Sequence, residues 1–522
     1  MSTFSPRAPW PAGGPHPTVR SRRRRELLSV AIATLAAMLA ALGISVLVSK
    51  PNFVLLFGIM LGALGVVALL TNSKLETTVL ILALYLGLLD GPVKLGNGGH
   101  EVASAVRDVL IFSVAIGAVL RIVAQHKQLR LPPLSAWVLG FVGAVLIEAF
   151  NPKTQGLVKD LGGFRQQLEW VPFFFFGYAI MRSKRRFRRM FILLGVLALA
   201  NGVVATYQTR LSPTALASWG PGYKNLVFGT EVTGKKGGLA GRTFASEGES
   251  HVRPPALGSD AGFGGGIGVL ALPASLALIA TGRGRRRWLY LPLCLGAIVA
   301  VATGLGRLQV VGGVLAVLAF TLLSFSAGRR VTRPLAALMT VIALAIPLGA
   351  IYVSAAPSGT FARYASLGEG STNDTKVKTL ARLPSQLERA PFGVGLGTVG
   401  AAAGFGGTVS ELLEGHGVSS ETEYNFLADE LGILGLVLWL SLSATVLLLV
   451  VRRLRRVGDV ELRLDLAAVF ATFIAFTIMG LSGPTMTSAA FGPFFWFAVG
   501  IAAYWLAGRG RTFRAAIATE EL

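Results

Sequence analysis

Residues 419–456 read SSETEYNFLADELGILGLVLWLSLSATVLLLVVRRLRR. The stretch opens on acidic and amide side chains, runs apolar from Phe426 to Val451, and ends in the arginine cluster Arg452 to Arg456. An apolar run of about 18 residues or more, rising 1.5 Å per residue, is long enough to cross some 30 Å of hydrocarbon as a helix. The arginines orient it, because Lys and Arg in short loops oppose translocation. On this reading the arginine end faces the cytoplasm and the polar end faces out. Charged residues where a membrane helix begins cost free energy unless something uses them, so Glu421, Glu423, Asp429 and Glu430 ask for a function.

The same pattern recurs along the chain. Of its 522 residues 53% are hydrophobic and only 14% charged, with a mean hydropathy of +0.62, far more apolar than soluble domains. The net charge of +23 would suit a nucleic-acid binder, but its distribution argues otherwise. The arginines fall in short clusters between apolar runs: Arg22 to Arg25, Arg182 to Arg189, Arg283 to Arg287, Arg329 to Arg333, Arg452 to Arg456 and Arg509 to Arg514. That is the positive-inside signature, and no aromatic stacking platform interleaves it. The single cysteine, Cys294, lies inside an apolar run, which leaves no disulfide framework and no thiol metal site. No HExxH and no paired histidines at ligand spacing point to a metal.

Apolar segments fall at Glu26–Val48, Asn52–Leu70, Leu75–Asp90, Ser104–Ala124, Leu134–Phe150, Leu161–Met181, Arg188–Tyr207, Ala261–Ala280, Leu289–Ala302, Leu308–Phe325, Pro334–Val353, Phe426–Val451, Leu464–Leu481 and Ala489–Ala507. They predict an all-α polytopic membrane protein of about fourteen helices, within a range of about 12–14. Both termini and every basic cluster then share the cytoplasmic side. The shortest segment, Leu289–Ala302, forms a hairpin with the next, turning at Thr303 to Arg307. The chain divides into a disordered basic tail (1–25), N-terminal spans (26–207), an outer loop (208–260), spans (261–354), a second outer loop (355–424), C-terminal spans (425–507) and a cytoplasmic tail (508–522). Long loops on a rigid helical scaffold are where chemistry is usually placed. Within the second loop, Thr375 to Leu387 has the spacing of an amphipathic helix stopped by Pro391.

Arg307 stands beside the hairpin turn, away from the arginine clusters. It is either a snorkelling interfacial side chain or an anion ligand, since guanidinium forks bidentately onto phosphate oxygens. Arg242 and Arg253 lie in GRTFASEGESHVRPPALGSDAGFGGG (241–266), just before a glycine-rich helix start whose amides would assist oxyanion binding. Arg165 and Glu169 are spaced i, i+4, as an ion pair or with the arginine facing substrate. Glu421, or His416 five residues before it, would serve as general base for a sugar hydroxyl.

At these residues the chain resembles the O-antigen ligase and polysaccharide polymerase superfamily of bacterial envelope glycosyltransferases. RPPALGSDAGFGG resembles the family's arginine leading into a small-residue helix, with Arg253 as the matching residue. TGLGRLQVVGG matches its arginine hairpin turn through Arg307, and KVKTLARLPSQLERAPFGVGLG its loop helix, where Lys376 replaces an arginine. The family's His-Asn, counted back from Gly432 and Gly435, falls on Glu421 and Thr422, as in polymerase-type members with an acidic residue there. The resemblance implies a metal-independent, inverting transfer of polyprenyl-diphosphate-linked glycan to a glycan or lipid acceptor in the inner membrane, without cofactor. Arg253, Arg307 and Lys376 would hold the diphosphate, helped by Arg242. Membrane lipids, a chain-length regulator and other envelope-assembly proteins are the implied partners. A transporter or flippase of the same lipid-linked glycans is the alternative.

Overall fold

The computed structural model describes residues 75–96, 101–124, 131–152, 157–229, 242–246, 248–282, 284–325, 354, 359–365, 370–400 and 422–508. The described chain is mostly helical. In order it forms α1 (Leu75–Leu88), α2 (Asp90–Gly96), α3 (Glu101–Ala124), α4 (Ser135–Glu148), α5 (Leu157–Leu168), α6 (Pro172–Ile180), α7 (Lys184–Gln208), α8 (Pro213–Ala217) and α9 (Pro221–Phe228). A two-stranded antiparallel hairpin follows, β1 (Thr243–Ser246) and β2 (Glu249–Val252). Then come α10 (Phe263–Thr281), α11 (Leu291–Thr303), α12 (Arg307–Phe325), α13 (Ala362–Ala365), α14 (Gly370–Ala381), α15 (Leu383–Arg389), α16 (Glu423–Arg453), α17 (Val460–Met479) and α18 (Gly492–Ala502).

Among the described residues five helices are long and apolar enough to cross a membrane, or six if the bent pair α1 and α2 is one span. The segments Glu26–Val48, Asn52–Leu70 and Pro334–Val353 lie outside the described residues. α10 is the axis: its apolar window is wholly buried, and α7, α11, α12 and α17 pack around it. Small residues let these backbones approach, the usual device where lipid supplies no hydrophobic drive between helices. A Cβ on Gly268 would stand 2.7 Å from the Ala297 carbonyl oxygen, and one on Gly202 would stand 2.9 Å from that of Gly296. The peripheral helices turn large apolar side chains outward, among them Val314, Leu318 and Leu322 on α12 and Val437, Leu440 and Val451 on α16. Bilayer contact accounts for that outward apolar face.

The bundle has two chemically distinct ends. At one, Lys184 reaches Asp459 at 2.8 Å, Arg188 lies over the Tyr290 ring, Arg189 bonds Glu76 at 2.6 Å and Arg453 donates to the Leu506 carbonyl at 2.7 Å. These contacts tie the basic cluster at 182–189 to Glu76, Tyr290 and Asp459, and Arg453 to the chain just after α18. The opposite end carries the β-hairpin, the α11–α12 turn and the α17–α18 loop.

Three expected helices are broken, each for a local reason. Leu161–Met181 divides into α5 and α6 at Pro172, which supplies no N–H and restricts the residue before it. The loop helix over Thr375–Leu387 divides into α14 and α15 because Pro384 sits in the first turn of α15. α16 breaks at Gly432, whose φ of 59° and ψ of −156° belong to glycine alone. The β-hairpin is a small addition to the all-helical expectation.

Candidate functional site

α11 ends at Thr303 and α12 begins at Arg307, so the hairpin turns where the sequence placed it. Leu305 in that turn is fully buried with φ of 49°, a left-handed backbone unusual for leucine. The turn delivers Arg307 to the β-hairpin. In the hairpin Phe244 pairs with His251 and Thr243 with Val252, and Arg253 N–H donates to the Arg242 carbonyl at 2.9 Å. Directly opposed strand residues share a face, so Arg242 and Arg253 emerge together.

The segment after Arg253 is clamped. Gln208 accepts from Ala256 N–H at 2.8 Å and donates to the Ala256 carbonyl at 3.1 Å. Asn201 accepts from Leu257 N–H at 3.1 Å, and Gly262 N–H closes onto the Pro254 carbonyl at 3.2 Å. Arg253 is thus held immediately ahead of α10 by polar side chains of α7.

A fourth arginine joins this group. Arg363 of α13 lies with its guanidinium carbon 5.7 Å from the Phe244 ring centre, and its carbonyl accepts from Arg307 Nε at 3.2 Å. Tyr364 anchors the same turn by donating to the Ala302 carbonyl at 2.6 Å. Burial, then the like charges of Arg363, Arg242 and Arg307, hold Arg253 down to about 10, with Asp260 opposing. Burial and Arg307 also lower Arg363. Guanidinium is not deprotonated in proteins at neutral pH, so lowering Arg253 and Arg363 leaves their charge in place. Asp260, largely exposed, is paired with Arg242 at 3.4 Å, a surface contact worth little. Arg253 Nε is buried and has no hydrogen-bond partner among the described residues. Among the described residues, Arg242, Arg253, Arg307 and Arg363 lie together with Asp260 beside them, a cluster electrostatically suited to a multiply charged anion.

A second polar assembly surrounds the start of α16. Thr422 caps the helix through the Asn425 N–H at 3.2 Å, and Asn425 donates to the Thr379 carbonyl at 2.9 Å. Glu423 accepts from Met486 N–H at 3.0 Å and also from Thr485 N–H. Glu430 accepts from Gln167 at 2.6 Å and Gln166 at 3.3 Å. Val394 N–H meets the Asp429 carbonyl at 2.7 Å, and Ile433 N–H meets that of Pro391 at 2.8 Å, which seats the PFGVGLG loop on the break at Gly432. Lys376 donates to the Ser482 carbonyl. A Cβ on the neighbouring Gly483 would stand 2.9 Å from Leu308, so the lysine's anchor lies beside the first turn of α12.

Arg242, Arg253 and Arg307 are therefore brought together, with Lys376 on the adjacent loop. Arg165 belongs elsewhere: its partner is Asp108 at 2.5 Å, while Glu169 takes Arg107 at 2.9 Å. The expected Arg165–Glu169 pairing is replaced because Arg107 and Asp108 on α3 present closer partners. Glu421 and His416 lie outside the described residues. The sequence reading missed Arg363, whose one local signal is its position between Phe361 and Tyr364 in a long loop. It also passed over Glu423 as an anchor in favour of Glu421.

Composition, helix lengths and the outward apolar faces together define a helical membrane protein. No protein-family model matches the chain, and no curated protein sequence matches it.

Proposed function

We propose that the protein transfers or polymerises polyprenyl-diphosphate-linked glycan at the outer face of the bacterial cytoplasmic membrane, as an enzyme similar to the O-antigen ligases and polymerases. The observation that carries this reading is the convergence of Arg242, Arg253, Arg307 and Arg363 at the end of the bundle remote from the basic loops. In this topology the basic loops and both termini are cytoplasmic and the chain has about fourteen spans.

The chemistry is a displacement at the anomeric carbon. The acceptor hydroxyl oxygen forms the new glycosidic bond with inversion while the bond from that carbon to the phosphate oxygen breaks. The lipid diphosphate leaves with the electron pair. The arginines stabilise the charge growing on the leaving group, commonly the largest catalytic contribution. The hydroxyl proton goes to Glu421, with His416 as the other candidate base. No metal or cofactor takes part.

A transporter of lipid-linked glycan is the second reading, favoured by the break of α16 at Gly432 and the bend between α1 and α2. The test is complementation of a deletion strain with wild type, Arg253→Ala, Arg363→Ala or Glu421→Gln at matched membrane levels, with lipid-linked precursors resolved by size and leaflet. Transfer predicts short precursors accumulating on the outer leaflet in the variants. Precursors held on the inner leaflet would favour transport, and wild-type glycans from the arginine variants would end the site assignment.

A further inference from the structure

Strand alternation sorts the β-hairpin into two faces. Thr243 pairs with Val252, and Val252 packs with Leu216 of α8 and Tyr223 and Val227 of α9 in a small apolar cluster. The other face carries the alternate pairs: Arg242 with Arg253, Phe244 with His251, and Ser246 with Glu249. His251 therefore lies on the arginine face, two residues or about 7 Å along the strand from Arg253. The displacement proposed above makes no use of this histidine.

His251 is 8% exposed, and its ring stacks on Phe244 with centres 5.4 Å apart and planes inclined by 30°. Phe244 in turn carries the Arg363 guanidinium over its ring. Imidazole, phenyl ring and guanidinium thus lie in contact across the hairpin face. His251 Nε2 is buried and has no hydrogen-bond partner among the described residues. The large majority of buried polar side-chain atoms have one, so an orphan in so packed a place asks for a ligand. Gly359 lies against it, at the start of the turn that delivers Arg363, and its carbonyl accepts from Ala362 N–H at 3.1 Å. A Cβ on Gly359 would stand 3.0 Å from both Nε2 and Ser246 Oγ. Because that residue is glycine, no side chain crowds these two polar atoms.

We infer that His251 is a further ligand of the anion held by the arginines, donating a hydrogen bond from Nε2–H to one of its phosphate oxygens. The inference rests on the anion-site reading above and adds to it a donor that is not a guanidinium. Nε2 carries a proton in one neutral tautomer of imidazole and in the cation, and an ionised phosphate oxygen only accepts, so the two are matched. The stack on Phe244 fixes the ring before any ligand arrives, which lowers the cost of ordering it. No proton leaves His251: the contact is a hydrogen bond, and it strengthens as negative charge grows on the departing diphosphate.

The experiment is calorimetric titration of the full chain in nanodiscs with inorganic pyrophosphate and with farnesyl diphosphate, for wild type, His251→Phe, His251→Gln and Arg253→Ala. Phenylalanine keeps a stacked ring without a donor, and glutamine carries an amide N–H at about the reach of Nε2. His251→Phe should bind both ligands about tenfold more weakly, the loss expected for one hydrogen bond to a charged group, while His251→Gln should stay within about threefold of wild type. Ligand-free His251→Phe should melt at or above the wild-type temperature, because an apolar ring relieves an unsatisfied buried nitrogen. Weakening of both ligands places on Nε2 a phosphate oxygen that free and lipid-linked diphosphate share; weakening of pyrophosphate alone restricts the contact to the free anion, and of farnesyl diphosphate alone to the lipid-linked source. Wild-type affinities in His251→Phe beside weakened ones in Arg253→Ala would overturn the inference and leave the anion site intact. Equal losses in His251→Phe and His251→Gln would show that the shape of the imidazole matters and not its donor, which also overturns it. If wild type binds neither ligand, the anion-site reading fails and this contact falls with it.

Discussion

Replacing Gly432 with alanine should separate the PFGVGLG loop from α16. At φ 59° and ψ −156° an L-residue enters a region open essentially to glycine, costing about 1–3 kcal/mol. The added Cβ would collide with the Pro391 carbonyl oxygen and come within 2.6 Å of Gly393 N. These are backbone atoms and cannot swing aside, so overpacking adds a further 1–3 kcal/mol or so. The total, about 2–6 kcal/mol, exceeds the worth of the two hydrogen bonds that seat the loop, Ile433 N–H to Pro391 and Val394 N–H to Asp429. Thermal unfolding of the detergent-purified protein, followed by tryptophan fluorescence, should show Tm lower by roughly 2–5 °C. Gly143→Ala is the control: it lies within α4 with nothing within 4 Å of its Cβ. It should be neutral or stabilising by up to about 1 kcal/mol, the helix-propensity difference. A Gly432→Ala protein that melts with wild type would refute the claim that this break needs glycine.

Three further outcomes follow from the site. Arg253→Met should raise the ligand-free melting temperature, since it removes a charge that burial and three neighbouring arginines disfavour, yet it should abolish glycan transfer; a variant that is destabilised and active would contradict the cluster's role. Gln208→Leu should lower stability by about 2–4 kcal/mol, because the Ala256 N–H and carbonyl lose their buried partners, and should weaken pyrophosphate binding through the loosened Arg253 segment. Asp459→Asn keeps the α17 cap but loses the ion pair. Burial would raise this carboxyl, but the hydrogen bond from Lys184 and the Leu462 N–H outweigh it and leave it lowered. A lowered carboxyl stabilises above its unfolded value near 3.9, and that contribution disappears as pH falls through the folded value. The melting gap between wild type and Asp459→Asn, worth under about 1 kcal/mol for so exposed a pair, should therefore narrow as pH drops from 7 towards 3.

Periodicity and punctuation made the long helices readable. α10, α12 and α17 begin and end within a few residues of their apolar runs, because a bilayer imposes length and a glycine or charge marks each end. The α11–α12 turn was legible from the basic residues that had to share one side. Pro172 lies in a run apolar enough to mask the break, and Pro384 in a loop helix whose amphipathic spacing continues across it. Arg242, Arg253 and Arg307 stood out by lying away from the basic loops. Arg363 could not be found that way, since its place against Phe244 and Arg307 is set by the packing of α13 on the hairpin. Arg165 shows the converse: an i, i+4 spacing allows a pair, but Asp108 on another helix decides it. The β-hairpin lay in a loop treated as irregular, although Gly248, at φ 81°, sits between two short alternating runs.

The most direct measurement is a purified reaction. Wild type and Arg363→Ala, each in nanodiscs, would be given lipid-linked glycan and acceptor, and the release of lipid diphosphate would be followed by mass spectrometry. Wild type should release diphosphate and form the longer or transferred glycan. Arg363→Ala should be slower by a factor of about 100 or more at unchanged melting temperature, the size expected for one lost charge-stabilising donor. Equal rates for the two proteins, or glycan bound and moved with no diphosphate released, would contradict it.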